Sequence, residues 1–143
     1  MTKLNLSIAN ALIENTFSFA RDRGFKPLSV AVLDAGGHLL AFQKQDGASM
    51  LRFEIAFGKA YGALAVGFGS RWLENVAQER PHFIIGLTAV SNGNIVPVPG
   101  GILVRNQPGE LLGAVGVTGD TSDNDEIAAI SGVEAMGLTA QPS

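Results

Sequence analysis

The segment that most constrains this chain is Leu111–Asp120, LLGAVGVTGD, an apolar run with glycine at every third position (Gly113, Gly116 and Gly119). Glycine weakens a strand, because it costs backbone entropy and offers no side chain to pack. Glycines spaced through an apolar strand therefore mark a place where another backbone or a ligand must come close. The run stops at Thr121-Ser122-Asp123-Asn124-Asp125-Glu126, an acidic helix entrance in which Asp123 is the expected cap and Glu126 has the capping-box spacing. A glycine-rich strand beside a helix N-terminus is thus expected.

The rest of the chain divides by period and punctuation. Residues 5–23 repeat apolar side chains at three- and four-residue spacing, which predicts a helix ended by Gly24 and Pro27. Residues 28–34 and 39–44 read as strands joined by a tight Ala35-Gly36-Gly37-His38 hairpin. Residues 49–68 read as a helix. Phe53, Phe57, Tyr61, Leu64 and Phe68 share one face, and Leu51, Ile55 and Gly62 lie on a second. Arg52, Ala56, Lys59 and Ala63 form a third, narrow stripe. The two apolar faces are expected on the sheet and on a partner subunit. Residues 70–78 read as a short helix, and 83–90 fit helix or strand equally. Residues 94–98, 101–106 and 110–118 read as three strands, and the last helix runs from Asp123 to near Gly137. Hairpin-length connections make the pairing antiparallel, and the class is α+β in a single domain over 1–143.

Composition limits the partners. Charged residues are 16% of the chain, against about 25% in an ordinary soluble domain. So few charges on a small chain point to a homo-oligomer that buries part of its surface. A formal net charge of −3 without a Lys/Arg cluster argues against nucleic acid. No apolar run is long enough to span a bilayer and no signal-peptide pattern opens the chain, so a soluble, cytoplasmic protein is expected. The chain has no cysteine, which removes thiolate catalysis and Cys-ligated metals. It also has no nucleophile elbow, P-loop or dinucleotide fingerprint.

Several residues stand out chemically. His38 follows a Gly-Gly turn and carries an imidazole, so it reads as a solvated hairpin residue, an acid–base group or an axial ligand. Lys59 lies in an apolar helix and needs a counter-charge, for which Asp46 and the 120–126 segment are the candidates. Such a lysine is either a structural ion pair or, with Arg52 nearby, an anion-binding group. Pro99-Gly100-Gly101 reads either as a plain turn between strands or as one whose glycines let a ligand approach the backbone N–H groups. Asp120, Asp123, Asp125 and Glu126 fit capping better than a metal site.

Six segments occur together, in order. They are Asp34-Ala35-Gly36-Gly37-His38, Asp46-Gly47-Ala48, Lys59-Ala60, Pro99-Gly100-Gly101, Gly113-Ala114-Val115-Gly116-Val117-Thr118-Gly119 and Asp123-Asn124-Asp125-Glu126. This arrangement resembles the GlcG/HbpS family, which includes the C-terminal domain of PduO-type proteins, over nearly the whole chain. The resemblance implies a profilin-like fold with a five-stranded antiparallel sheet. It implies oligomers built from dimers, up to an octamer. It implies haem as the ligand of some members, while others have no settled activity. Two departures stand out: no His in 5–23, where haem-binding relatives carry one near the first helix, and Lys44-Gln45 in place of the family's Arg-Met.

The resulting expectation is a small-ligand-binding protein with haem as the candidate cofactor. Its ligand would sit in an inter-subunit cleft lined by Arg52, Pro99, Gly100, Gly101 and Gly116. The alternative is a cofactor-independent enzyme using His38, Asp46 and Lys59 for acid–base chemistry on a carboxylate metabolite. A purely structural or regulatory protein is the third possibility.

Overall fold

The computed structural model describes residues 3–143. Helix α1 (Leu6–Arg23) starts at Asn5, whose side chain accepts from the Ile8 N–H, and stops at Gly24 in the left-handed conformation. Strands β1 (Ser29–Asp34) and β2 (Leu39–Lys44) form the hairpin. Helix α2 (Arg52–Val66) follows, then α3 (Ser70–Glu79) and α4 (Pro81–Val90). Strands β3 (Gly101–Arg105) and β4 (Leu111–Thr118) precede α5 (Ser122–Glu134) and β5 (Thr139–Gln141).

The five strands form one antiparallel sheet in the order β2-β1-β4-β3-β5. Helices α1 and α5 cover one face, where Leu12, Ile13, Phe17 and Ala128 meet Val30, Val32, Val115 and Val117. Helix α2 covers the other face, where Ala60 and Ala63 meet Leu33, Leu103 and Ala114.

The expected strand at 94–98 does not form. Pro97 and Pro99 remove two ladder donors, and Val96 instead donates its N–H to the Gly58 carbonyl at 3.3 Å and packs beside α2. The fifth strand is β5, near the C-terminal end. Residues 83–90 resolve as helix α4, with Pro81 in its first turn. Helix α5 is capped by Thr121, whose hydroxyl accepts from Asn124 at 3.1 Å. Asp123 and Glu126 pair with Arg71 of α3 instead.

The small-residue stripe of α2 is pressed closest to the sheet, and the aromatic face packs beside it. Ala56, Lys59, Ala60 and Ala63 are buried, whereas Phe53, Phe57 and Tyr61 are half-exposed and stack on one another, with Phe57 and Tyr61 against the core under α2 and Phe42 of β2 against Phe53. Gly101 and Gly116 make this approach possible: a Cβ on Gly101 would strike the Lys59 carbonyl and one on Gly116 the Ala56 carbonyl. The backbone of α2 therefore lies directly on β3 and β4.

Candidate functional site

The β1–β2 hairpin is built around one carboxylate. The chain reverses with Gly37 at φ 85, a conformation that favours glycine. Oδ1 of Asp34 accepts the Gly36 N–H at 2.9 Å and the His38 N–H at 3.0 Å, and lies 3.2 Å from Nδ1 of His38. The His38 backbone donor, then the Gly36 donor and the imidazole, hold the Asp34 carboxyl below its ordinary value, against a smaller opposing effect of burial. With its proton on Nδ1, the imidazole donates to Asp34 and keeps a free lone pair on Nε2. The side chain of His38 is 81% exposed, so that lone pair faces outward. A carboxylate fixing the far nitrogen of an imidazole is the arrangement that orients metal-ligating histidines.

Beside this pair lies a pocket of about 400 Å³. Leu4, Leu40, Leu111 and Leu112 form its apolar wall, with Lys3, Asp34 and His38 supplying polar groups. A smaller hollow of about 190 Å³ opens on the other flank of the hairpin, between Gly36-Gly37 and Tyr61 and Leu64 of α2.

Lys59 occupies a different environment. Its ammonium donates to the Val117 carbonyl at 2.9 Å and to Oδ2 of Asp125 at 3.1 Å, and both side chains are 2% exposed. Burial pushes the lysine down and the aspartate up from their ordinary values, while their mutual attraction opposes both shifts. Asp125 also accepts the Asp120 N–H at 2.9 Å. Its partner thus comes from the acidic segment and not from Asp46, and the ammonium faces the sheet interior.

The remaining expected site residues are scattered. Asp46 is exposed beside Pro27 and Lys44, at the end of the β1–β2 ribbon where Ser29 pairs with Lys44. His38 is at the other end, where Leu33 pairs with Leu39. At about 3.3 Å per residue the two ends lie roughly 17 Å apart, so His38, Asp46 and Lys59 do not share a site. Arg52 donates to the Ser49 and Thr118 hydroxyls at 2.9 and 2.8 Å. Pro99, Gly100, Gly101 and Gly116 are buried, and α2 fills the space that a ligand on Gly101 or Gly116 would need.

Sequence reading passed over Asp34 as a site residue, although an Asp four positions before His38 across a Gly-Gly turn was a usable signal. The leucine pocket had none, since Leu4, Leu40 and Leu111 come from distant segments.

A family model described as haem degrading protein HbpS-like matches residues 4–134. The chain belongs to the HbpS-like family. An uncharacterized 15.0 kDa protein of the dhaT-dhaS intergenic region of Citrobacter freundii is 31% identical over 110 residues, 77% of this chain and 76% of that protein. Among solved structures, a double mutant of Streptomyces reticuli HbpS matches with a TM-score of 0.80 at 26% identity, over 96% of this chain and 89% of that one. A PduOC–haem complex shares the fold, with a TM-score of 0.84 at 23% identity over 95% and 96% of the two chains. Among the described residues, no helix is long and apolar enough to cross a membrane.

Proposed function

We propose that this member of the family binds haem at the β1–β2 hairpin, where His38 would supply the nitrogen that holds it. The observation that carries the reading is the Asp34–His38 pair, an oriented and outward-facing imidazole beside an apolar pocket. The residues present fit the group. Nε2 of His38 offers the nitrogen, Leu40, Leu111 and Leu112 offer an apolar wall for a porphyrin edge, and Lys3 offers a cation for a propionate. Bound there, haem would supply a redox-active iron and its visible absorption. The protein's own part would be to hold the imidazole and keep its proton on Nδ1 through Asp34, with the leucines as the apolar contact. The family description and the haem complex of a structural relative support the ligand class.

The test is a haem titration of the full chain. The expected result is a Soret band that develops with a defined stoichiometry and that His38→Ala abolishes or shifts. A His38→Ala chain that gives the wild-type spectrum and affinity overturns the assignment. The acid–base alternative is not proposed, because its three residues lie apart and Lys59 is already occupied. The 16% charge content and the exposure of Met50, Leu51, Ile85 and Val90 support reading the chain as a homo-oligomer.

A further inference from the structure

Three polar side chains stand in a row across the sheet, at the end away from His38. Ser29 of β1 pairs with Lys44 of β2 on one side and with Thr118 of β4 on the other. Alternate residues of a strand share a face. Ser29 therefore looks the same way as Leu33, and Thr118 the same way as Ala114, which is toward α2. Phe42, two residues before Lys44, meets Phe53 of α2. The first turn of α2 lies over the row, where Nη1 of Arg52 donates to the Thr118 hydroxyl at 2.8 Å.

The row is unfinished. Ser29 is fully buried, and among the described residues its hydroxyl is the one buried side-chain oxygen or nitrogen without a hydrogen-bond partner. Directly paired residues carry their side chains about 5 Å apart, so this hydroxyl lies beside the one that Arg52 touches. A buried hydroxyl left unpaired is costly. Arg52 is incomplete as well: two of its five N–H donors are used, on Ser49 and Thr118. Among the described residues no carboxylate forms a salt bridge with Arg52 or Lys44, and the nearest acids in sequence, Asp46 and Glu54, are exposed. Asp125 is already bonded to Lys59, whose ammonium is pushed down chiefly by burial and further by the charge of Arg52. Helix α2 also begins at Leu51 without a side-chain cap, and a helix N-terminus favours negative charge.

We propose that Arg52, Lys44, Ser29 and Thr118 bind a small oxyanion, a carboxylate or a phosphate, at the first turn of α2. The oxyanion enters from the side of Lys44, which is exposed. It takes the unused N–H donors of the guanidinium and the Ser29 hydroxyl. The Lys44 ammonium, which holds the Ala48 carbonyl at 3.0 Å, is the outer charge. This site lies at the opposite end of the β1–β2 ribbon from His38 and does not depend on the haem reading.

The test titrates the full chain, without haem, with sodium acetate, inorganic phosphate and, at equal ionic strength, sodium chloride. The Arg52 Nε–H resonance and the thermal midpoint are followed. Acetate or phosphate should shift the resonance saturably and raise the midpoint, the tighter of the two giving the class, and chloride should do neither. Ser29→Ala separates a ligand site from a structural hydroxyl. With no partner to lose, the empty variant should be at least as stable as wild type, yet it should hold the oxyanion about tenfold more weakly. Arg52→Gln should abolish binding. A wild-type chain that neither acetate nor phosphate saturates overturns the proposal. So does a Ser29→Ala chain that binds both as wild type does, or one less stable than wild type when empty, since its hydroxyl then already has a partner.

Discussion

Two of the acid–base pairs, Lys59–Asp125 and His38–Asp34, are built to opposite rules. Lys59 and Asp125 are sealed between α2, β4 and α5, each 2% exposed. Asp34 and His38 sit at a hairpin tip, 37% and 81% exposed. In the first pair each partner is the other's remedy for burial, and the ammonium has nothing to offer an incoming anion. In the second, one nitrogen is held and the other is left free. The lone lysine of an apolar helix looks more remarkable in sequence than a histidine after two glycines. Burial reverses their order, because an occupied charge supports the fold while a half-satisfied one can meet a ligand.

The comparison can be broken in graded steps. The largest effect is expected at the buried pair. Lys59→Met leaves Asp125 without its counter-charge and should cost about 3–5 kcal/mol in urea denaturation, with Lys59→Met/Asp125→Leu recovering much of that loss. A Lys59→Met chain of wild-type stability would show that the pair is not structural. Next is Gly116→Val, which drives a side chain into the Ala56 carbonyl and should lower stability by about 1–3 kcal/mol or more. An unchanged melting temperature would mean that α2 does not rest on the sheet as described. At the exposed pair, His38→Ala should leave stability within about 0.5 kcal/mol of wild type while removing the haem spectrum. Asp34→Asn should weaken haem binding about 10–100-fold, the usual cost of losing the group that orients a ligating imidazole.

The smallest effect is on pH. Asp34 and Asp120 are both held below their ordinary value of 3.8, Asp34 chiefly by the His38 N–H and Asp120 chiefly by the Lys26 N–H. A carboxyl whose folded value is depressed adds stability above its unfolded value, and loses it as pH falls through the folded one. Urea midpoints should therefore decline below about pH 4, and Asp34→Asn should flatten that decline slightly. A decline identical in the variant would remove Asp34 from the balance.

Much of this architecture was legible where period and punctuation agree. α1 has regular spacing, a left-handed glycine at its end and a proline beyond, and β1 and β2 flank a Gly-Gly turn. Legibility failed where one signal stood alone. The apolar run at 83–90 has no period because its exposed side is as apolar as its inner side. Val96 and Val98 suggested a strand that Pro97 and Pro99 forbid, while β5 spans only Thr139–Gln141 and is too short for alternation to show. The glycines of β4 were recognised as a place of close approach, but no local pattern distinguishes a helix backbone from a ligand. The site suffers most from this, because its leucine wall is assembled from segments far apart in the chain.

The sheet order carries a kinetic consequence. β1 finds its inner neighbour only in β4, with Ser29 against Thr118 and Asp34 against Gly113, about 80 to 90 residues downstream. Contacts of such long reach make for slow folding, because loop closure must precede any gain from pairing. During synthesis the first helix and hairpin leave the ribosome well before β4 does. In that interval they present Val30 and Val32 without the strand that will lie beside them. The hairpin that carries His38 is thus among the first parts of the chain to be made, while β1 gains its second neighbour only once β4, ending at Thr118, has been added.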